Sequence, residues 1–214
     1  MEKLDLRKQY KWLYSPSAKK VEFVDVPPLL FARVDGAVPA GVGPSDSADF
    51  KEAVAALYGI SYTLKFMVKK RADDPIDYPV MALEGLWVTE SRTYDTVARE
   101  AMGFTVMIMQ PDFITADLFE EARAALLRKQ PGPGPARIRL EAYHEGPSIQ
   151  TMHIGPYATE PETIVRLEAY AAEHGYTQRG HHEIYLSDPL RAAPEKMKTI
   201  LRHPVATGKR VVEQ

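Results

Sequence analysis

Cysteine is absent from this 214-residue sequence, which excludes a disulfide framework, a thiolate metal site and a cysteine nucleophile. No run approaches the roughly 20 apolar residues of a membrane span, and the opening MEKLDLRKQYKWLYSPSAKK is charged and lacks the apolar core of a signal peptide. A cytoplasmic location with no membrane partner is the expectation. Charge of one sign is not in excess either: 27 Lys and Arg against 29 Asp and Glu leave a net −2, without the general attraction on which nucleic-acid binding relies. Nucleic acid is therefore not an expected partner. The sequence contains no GxSxG, P-loop or dinucleotide fingerprint, so serine-hydrolase, nucleotide-binding and dehydrogenase readings have no support and no cofactor is expected. What is present, 45% hydrophobic and 26% charged residues, suits one sizeable globular domain or two small ones.

The stretch GHHEIYLSDP, Gly180 to Pro189, places an acid in a run with strand character. Side chains alternate across a strand, so His181, Glu183, Tyr185 and Ser187 share one face while His182, Ile184 and Leu186 share the other. The second set reads as core, to lie under the helices; the first reads as the wall of a site. A carboxylate beside an aromatic ring suits a cationic ligand or a general acid or base. A solvated polar strand face is the plainer alternative. The six histidines invite a metal reading, but His181 and His182 point to opposite faces, and no metal site is expected.

In chain order, residues 1–20 form an arm that packs back on the domain, and Val21 to Gly36 gives two strands broken at Pro27-Pro28. Phe50, Val54, Leu57, Tyr58, Ser61, Leu64 and Phe66 recur at helical spacing behind Ser47, which predicts a capped helix from Asp49 to about Lys69. YPVMALEGLWVTE and GFTVMIMQP read as paired strands joined by a connection from Glu90 to Ala101. Gly85 signals a bulge that leaves the phasing around Trp87 open. Thr115 caps a second helix, ended by PGPGP. Two strands broken at His144 to Pro147 follow, then a helix with a Thr159–Glu162 capping box and Pro161 early in it. The GHHEIYLSDP strand and a closing strand from Lys198 to His203 complete the chain.

The order strand, strand, helix, strand, strand thus occurs twice, over about 21–111 and 137–205, within one domain at 21–205 followed by a tail at 206–214. Two such units side by side predict an α+β fold: a pseudo-twofold tandem repeat with antiparallel sheets, helices on one face and a cleft between the repeats. Met107 and Met152 are packing residues that also suit a promiscuous pocket. Tyr143 faces away from Ile138, Leu140 and Ala142, which favours a cleft position.

VDVPP, LLFARVDG, YPVMALEGLW, MHIGPY and EIYLSDP together resemble the GyrI-like small-molecule-binding family, used as the effector domain of multidrug-responsive transcription activators. The resemblance covers Val21 to about Val205. It implies binding of hydrophobic planar or cationic small molecules in an aromatic cleft, with Glu183 in the place of the cleft glutamate. Only about twenty residues precede the first strand, too few for a helix-turn-helix domain, so the chain is similar to the stand-alone branch. Some of its members hydrolyse cyclopropane-bearing DNA alkylators, a detoxification. The resemblance then implies Glu183 as the catalytic acid or base and Trp87, Tyr143 and Tyr185 as walls and hydrogen-bond donors. A non-catalytic protein-interaction or inhibitor module of the gyrase-inhibitor type is the second reading, which a flat apolar patch outside the cleft would favour. The oligomeric state and the physiological ligand stay open.

Overall fold

The computed structural model describes residues 2–89 and 100–207; most of the connection expected over Glu90 to Ala101, and nearly all of the tail expected at 206–214, lie outside these residues. The elements are β1 (Glu2–Lys3), α1 (Leu6–Gln9), α2 (Lys11–Tyr14), β2 (Glu22–Val26), β3 (Leu29–Val38), α3 (Ala48–Lys69), β4 (Ile76–Asp77), β5 (Leu83–Val88), β6 (Met102–Met109), α4 (Ala116–Lys129), α5 (Pro133–Arg137), β7 (Arg139–Tyr143), β8 (Gly146–Ile154), α6 (Glu160–His174), β9 (Tyr176–Gln178), β10 (His181–Tyr185) and β11 (Lys198–Thr207).

One antiparallel sheet runs in the order β2-β8-β11-β10-β5-β6-β3-β7, with β9 added beside β11. The order is a palindrome of the repeat. β10, β11 and β8 correspond to β5, β6 and β3 about an axis between β10 and β5, and each repeat gives its first short strand, β2 or β7, to the other's edge. Two units become one sheet by antiparallel pairing of β10 with β5, in which Glu183 stands opposite Gly85 and His181 opposite Trp87. The α+β class and the repeated order hold.

The helices follow from local signals. The Ser47 hydroxyl accepts from the Phe50 N–H at 3.3 Å, and α3 buries Ala53, Leu57, Ile60, Leu64 and Val68 along one stripe. Truncating one of these leucines to alanine costs about 2–5 kcal/mol. Thr115 caps α4 through Leu118 N at 3.3 Å. α6 ends at Gly175, whose φ of 69° gives the left-handed cap that glycine adopts without a Cβ penalty. The capping box expected at its start does not form. A 3-10 turn over Tyr157–Thr159 leaves Thr159 at φ −102°, ψ 1°, and its hydroxyl donates to Pro156 O at 2.8 Å instead.

Both faces of the sheet are covered. Ala32, Val34, Val106 and Ile108 lie under α3, and Ile149 and Leu201 lie under Ile164 and Leu167 of α6. This helical face is the one that carries Glu183. Ile184 and its neighbours therefore do not sit under the long helices, as expected, but face the N-terminal arm. Tyr14 donates to Glu84 at 2.6 Å, Arg202 donates to Leu13 O at 2.8 Å, and Gln150 donates to Trp12 O at 2.9 Å. On this face Glu84, His182, Glu145 and Arg202 form a buried chain of alternating charge. His182 Nδ1 lies 2.9 Å from Glu145, its Nε2 lies 3.0 Å from Glu84, and Arg202 lies 3.2 Å from Glu145.

Candidate functional site

The alternation along β10 turns His181, Glu183 and Tyr185 to the sheet face that α3 and α6 cover. Gly85 is what makes room for a site there. The register of β5 runs unbroken past it on both sides, so the bulge expected at Gly85 is absent and Trp87 shares the face of Glu183. A Cβ on Gly85 would lie 3.0 Å from Trp87 Nε1 and 3.2 Å from the Tyr185 hydroxyl. Those two atoms fill the space the missing methyl leaves. The Trp87 N–H donates to the Tyr185 hydroxyl at 3.0 Å, which frees the phenol to hydrogen bond Glu183. Burial, followed by the Glu183 charge and that bond, pushes the phenol well above its ordinary range.

A second carboxyl faces the first. Glu160, the opening residue of α6, is 2% exposed, and its Oε1 has no hydrogen-bond partner among the described residues. Burial and then the Glu183 charge raise it to about 9, with Thr199 opposing. Two like charges in one low-dielectric site cannot both ionise at low cost. Near neutral pH, Glu160 therefore carries a proton. Tyr157, from the 3-10 turn, meets Tyr185 edge to face at 5.9 Å and is pushed up to about 12 by burial and then by Glu160 and Glu183.

Behind Glu183 stands a histidine pair. His181 Nε2 lies 2.7 Å from Glu183 Oε1, and His181 Nδ1 lies 2.8 Å from His203 Nε2. Burial and then the neighbouring His181 push His203 down to about 3, Glu145 opposing, so its ring is neutral. Beyond Trp87 this face is apolar. Phe50 stacks on Trp87 at 5.5 Å and 24°, and Phe104 meets both edge-on.

Of the residues expected at the site, Glu183, Tyr185 and Trp87 come together; Tyr143, Met107 and Met152 do not. Tyr143 pairs with Leu29 on the opposite face, packs on Phe31 at 6.3 Å and has Arg33 over its ring at 5.6 Å. Met107 is fully buried on that face opposite Glu84 and Arg33, and Met152 pairs with Ile200 there. The alternation of Tyr143 against Leu140 and Ala142 is as expected. In a sheet covered on both sides, however, facing away from one core means facing another. Glu160, Tyr157, Phe50 and the His181–His203 contact were not anticipated. Glu160 reads locally as an ordinary first-turn acid, favourable to the helix dipole.

Among the described residues, no group of three or more His, Cys, Asp or Glu could hold a metal ion, and no helix is long and apolar enough to cross a membrane.

The sequence pattern of the GyrI-like small molecule binding domain matches residues 19–205. A solved, uncharacterized conserved protein from Listeria innocua is 38% identical, with a TM-score of 0.84 over 95% of this chain and 100% of that one. A protein of the same organism described as a hydrolase is 37% identical, with a TM-score of 0.83 over 96% of this chain and 100% of that one. The C-terminal domain of EcmrR shares the fold at 13% identity, with a TM-score of 0.54 over 88% and 98% of the two chains. No curated protein matches the chain.

Proposed function

The chain belongs to the GyrI-like small-molecule-binding family, and on that premise we propose that its cleft takes hydrophobic planar or cationic molecules and hydrolyses strained, cyclopropane-bearing electrophiles among them. The observation that carries this reading is the carboxyl pair. Glu183 and Glu160 face one aromatic-walled cleft, and Glu160 is held protonated by burial and by the charge of Glu183. One group is fitted to take a proton and the other to give one.

The flat body of a ligand stacks against Trp87 and Tyr185, its electron-poor end toward the acids. Glu183 accepts a proton from water as the oxygen attacks the cyclopropane carbon. The ring C–C bond breaks, its electrons pass to the conjugated carbonyl, and that oxygen takes the proton of Glu160. Water is added across the strained bond. The hydrolase description of a Listeria relative supports the reaction class.

The interaction-module reading draws on the exposed row Tyr58, Tyr62 and Phe66 along α3, whose rings stack at 6.4 Å. That row is one side chain wide and begins at Tyr58, close enough to Tyr157 to influence its ionisation, which suits the rim of the proposed cleft. Single-turnover assays on a cyclopropane-bearing electrophile test the hydrolase. Glu183→Gln should lower the chemical step by about 10² to 10⁴ with affinity changed far less, and full activity in that variant would remove Glu183 from the mechanism.

A further inference from the structure

Across the helical face of the sheet, β8, β11 and β10 contribute one row of residues: Thr199 stands in register between His153 on one side and Tyr185 on the other. Both ends of the row hold the start of α6. His153 Nδ1 lies 2.9 Å from the Thr163 hydroxyl, and its Nε2 lies 3.2 Å from both Pro156 O and the Thr159 hydroxyl. At the other end Tyr185 meets Tyr157 edge to face. Tyr157, Thr159 and Thr163 flank Glu160, so the two anchors bring its carboxyl to the middle of the row. That middle is polar and sealed. Thr199 is 1% exposed, and among the described residues neither its hydroxyl nor Glu160 Oε1 has a hydrogen-bond partner. A buried hydroxyl without a partner is uncommon and costs stability. Burial and then the Glu183 charge push the Glu160 carboxyl up, and Thr199 acts in the opposite direction. That is the effect of a hydroxyl placed to donate to the ionised form.

We propose that Thr199 is a positioning residue for Glu160, and that its hydroxyl donates to the carboxylate formed when Glu160 gives its proton to the substrate. The role rests on the hydrolase reading. In that reaction Glu183 takes a proton from the attacking water while Glu160 gives one to the carbonyl oxygen, so the negative charge passes from Glu183 to Glu160. The pair holds one proton before and after, and its return from Glu183 to Glu160 restores the resting site. Tyr185 hydrogen bonds the carboxylate present at the start; Thr199, beside it in the row, serves the one present at the end. Hydrogen bonds to charged oxygens are shorter and about twice as strong as neutral ones, so the hydroxyl gains its acceptor as the charge arrives. An interaction stronger in the transition state than in the ground state lowers the barrier. Glu183 and Tyr185 face Glu160 from β10, Tyr157 faces it from the 3-10 turn, and His153 lies beyond Thr199 on β8.

Carboxyl ¹³C spectra of the full chain, assigned with Glu160→Gln, follow the upper titration step of the Glu160–Glu183 pair, at about pH 9, without substrate. Thr199→Val keeps the shape of the side chain and removes the hydroxyl, and should raise that midpoint by about one pH unit or more. Thr199→Ser keeps the hydroxyl and should leave the midpoint near the wild-type value. An unchanged midpoint in Thr199→Val overturns the bond. In single-turnover assays on a cyclopropane-bearing electrophile, the chemical step of Thr199→Val should fall about 10- to 100-fold with affinity changed far less, and Thr199→Ser should recover most of the rate. A raised midpoint with an unchanged chemical step overturns the part of Thr199 in the reaction, and equal losses in the two variants overturn it in favour of a packing role. A wild type that turns over no substrate overturns the hydrolase reading and the catalytic part of this one with it, while the titration still decides whether Thr199 meets the carboxylate.

Discussion

Raising the pH should destabilise this protein through His182, by an amount the buried chain of charges sets. Burial alone would favour the neutral ring, but Glu145 and then Glu84 outweigh it and raise His182 to about 9. Glu145 is held below its ordinary range by His182 and Arg202 against its own burial. A histidine that titrates at about 9 when folded and near 6.5 when unfolded contributes about 3 kcal/mol. Between those values the folded chain holds a proton that the unfolded chain does not, so stability falls as pH rises. The contribution is fully present below pH 6.5 and lost through about pH 9. Tyr14, raised well above its ordinary value, keeps donating to Glu84 throughout.

Glu160 also holds a proton in this window, so the measurement belongs in Glu160→Gln. In that background, thermal unfolding at about pH 7 and pH 9.5 should differ by roughly 6–12 °C, at about 2–4 °C per kcal/mol for a chain of this size. Calorimetry in buffers of different ionisation enthalpy should count about one proton released per chain on unfolding near pH 8. An imidazole signal of His182 that titrates below pH 7, or unfolding with no proton release, refutes the argument.

Glu160→Gln itself should raise the melting temperature above that of wild type at pH 9, because the neutral amide does not suffer the ionisation imposed on the buried acid as pH climbs past the ordinary carboxylate range. The same variant should lose turnover by about 10² or more in single-turnover assays, and normal turnover would remove Glu160 from the chemistry. Gly85→Ala should weaken binding of planar ligands about tenfold or more, since its methyl takes space held by Trp87 Nε1 and the Tyr185 hydroxyl. Unchanged affinity by calorimetry would mean the ligand does not use that wall.

Local signals carried much of the fold. The Ser47 and Thr115 caps, the Leu57, Ser61 and Leu64 part of the α3 stripe and the alternation of β10 each depend on residues a few positions apart, and each is present in the folded chain, whereas Tyr58 and Phe66 of the expected stripe are exposed. What was not legible depends on partners distant in sequence. Nothing in VEFVD says that β2 pairs with β8 rather than with β3, and nothing in RIRLEAY says that the face of Tyr143 is sealed by residues near the N-terminus. Glu160 escaped for the same reason. A 3-10 turn and the docking of α6 convert a first-turn acid into a buried proton carrier, and the Thr159–Glu162 spacing pointed instead to a capping box that the turn prevents from forming.

The pseudo-twofold order explains why the proposed cleft has two unlike ends. At the central pair of strands the repeats offer Gly85 and Glu183 to each other: one gives space, the other charge. The starts of α3 and α6 diverge in the same sense. The first brings Phe50 onto Trp87, and the second brings Glu160 and Tyr157 toward Glu183. A duplicated scaffold with identical halves would place two carboxylates opposite each other and two aromatic walls beside them, and would bind a symmetric ligand about its own axis. Here the first repeat has become the apolar floor and the second the acidic, histidine-backed wall. In the proposed function a ligand lies with its flat body over Trp87 and its reactive or cationic end toward Glu183, an orientation that a symmetric cleft could not impose.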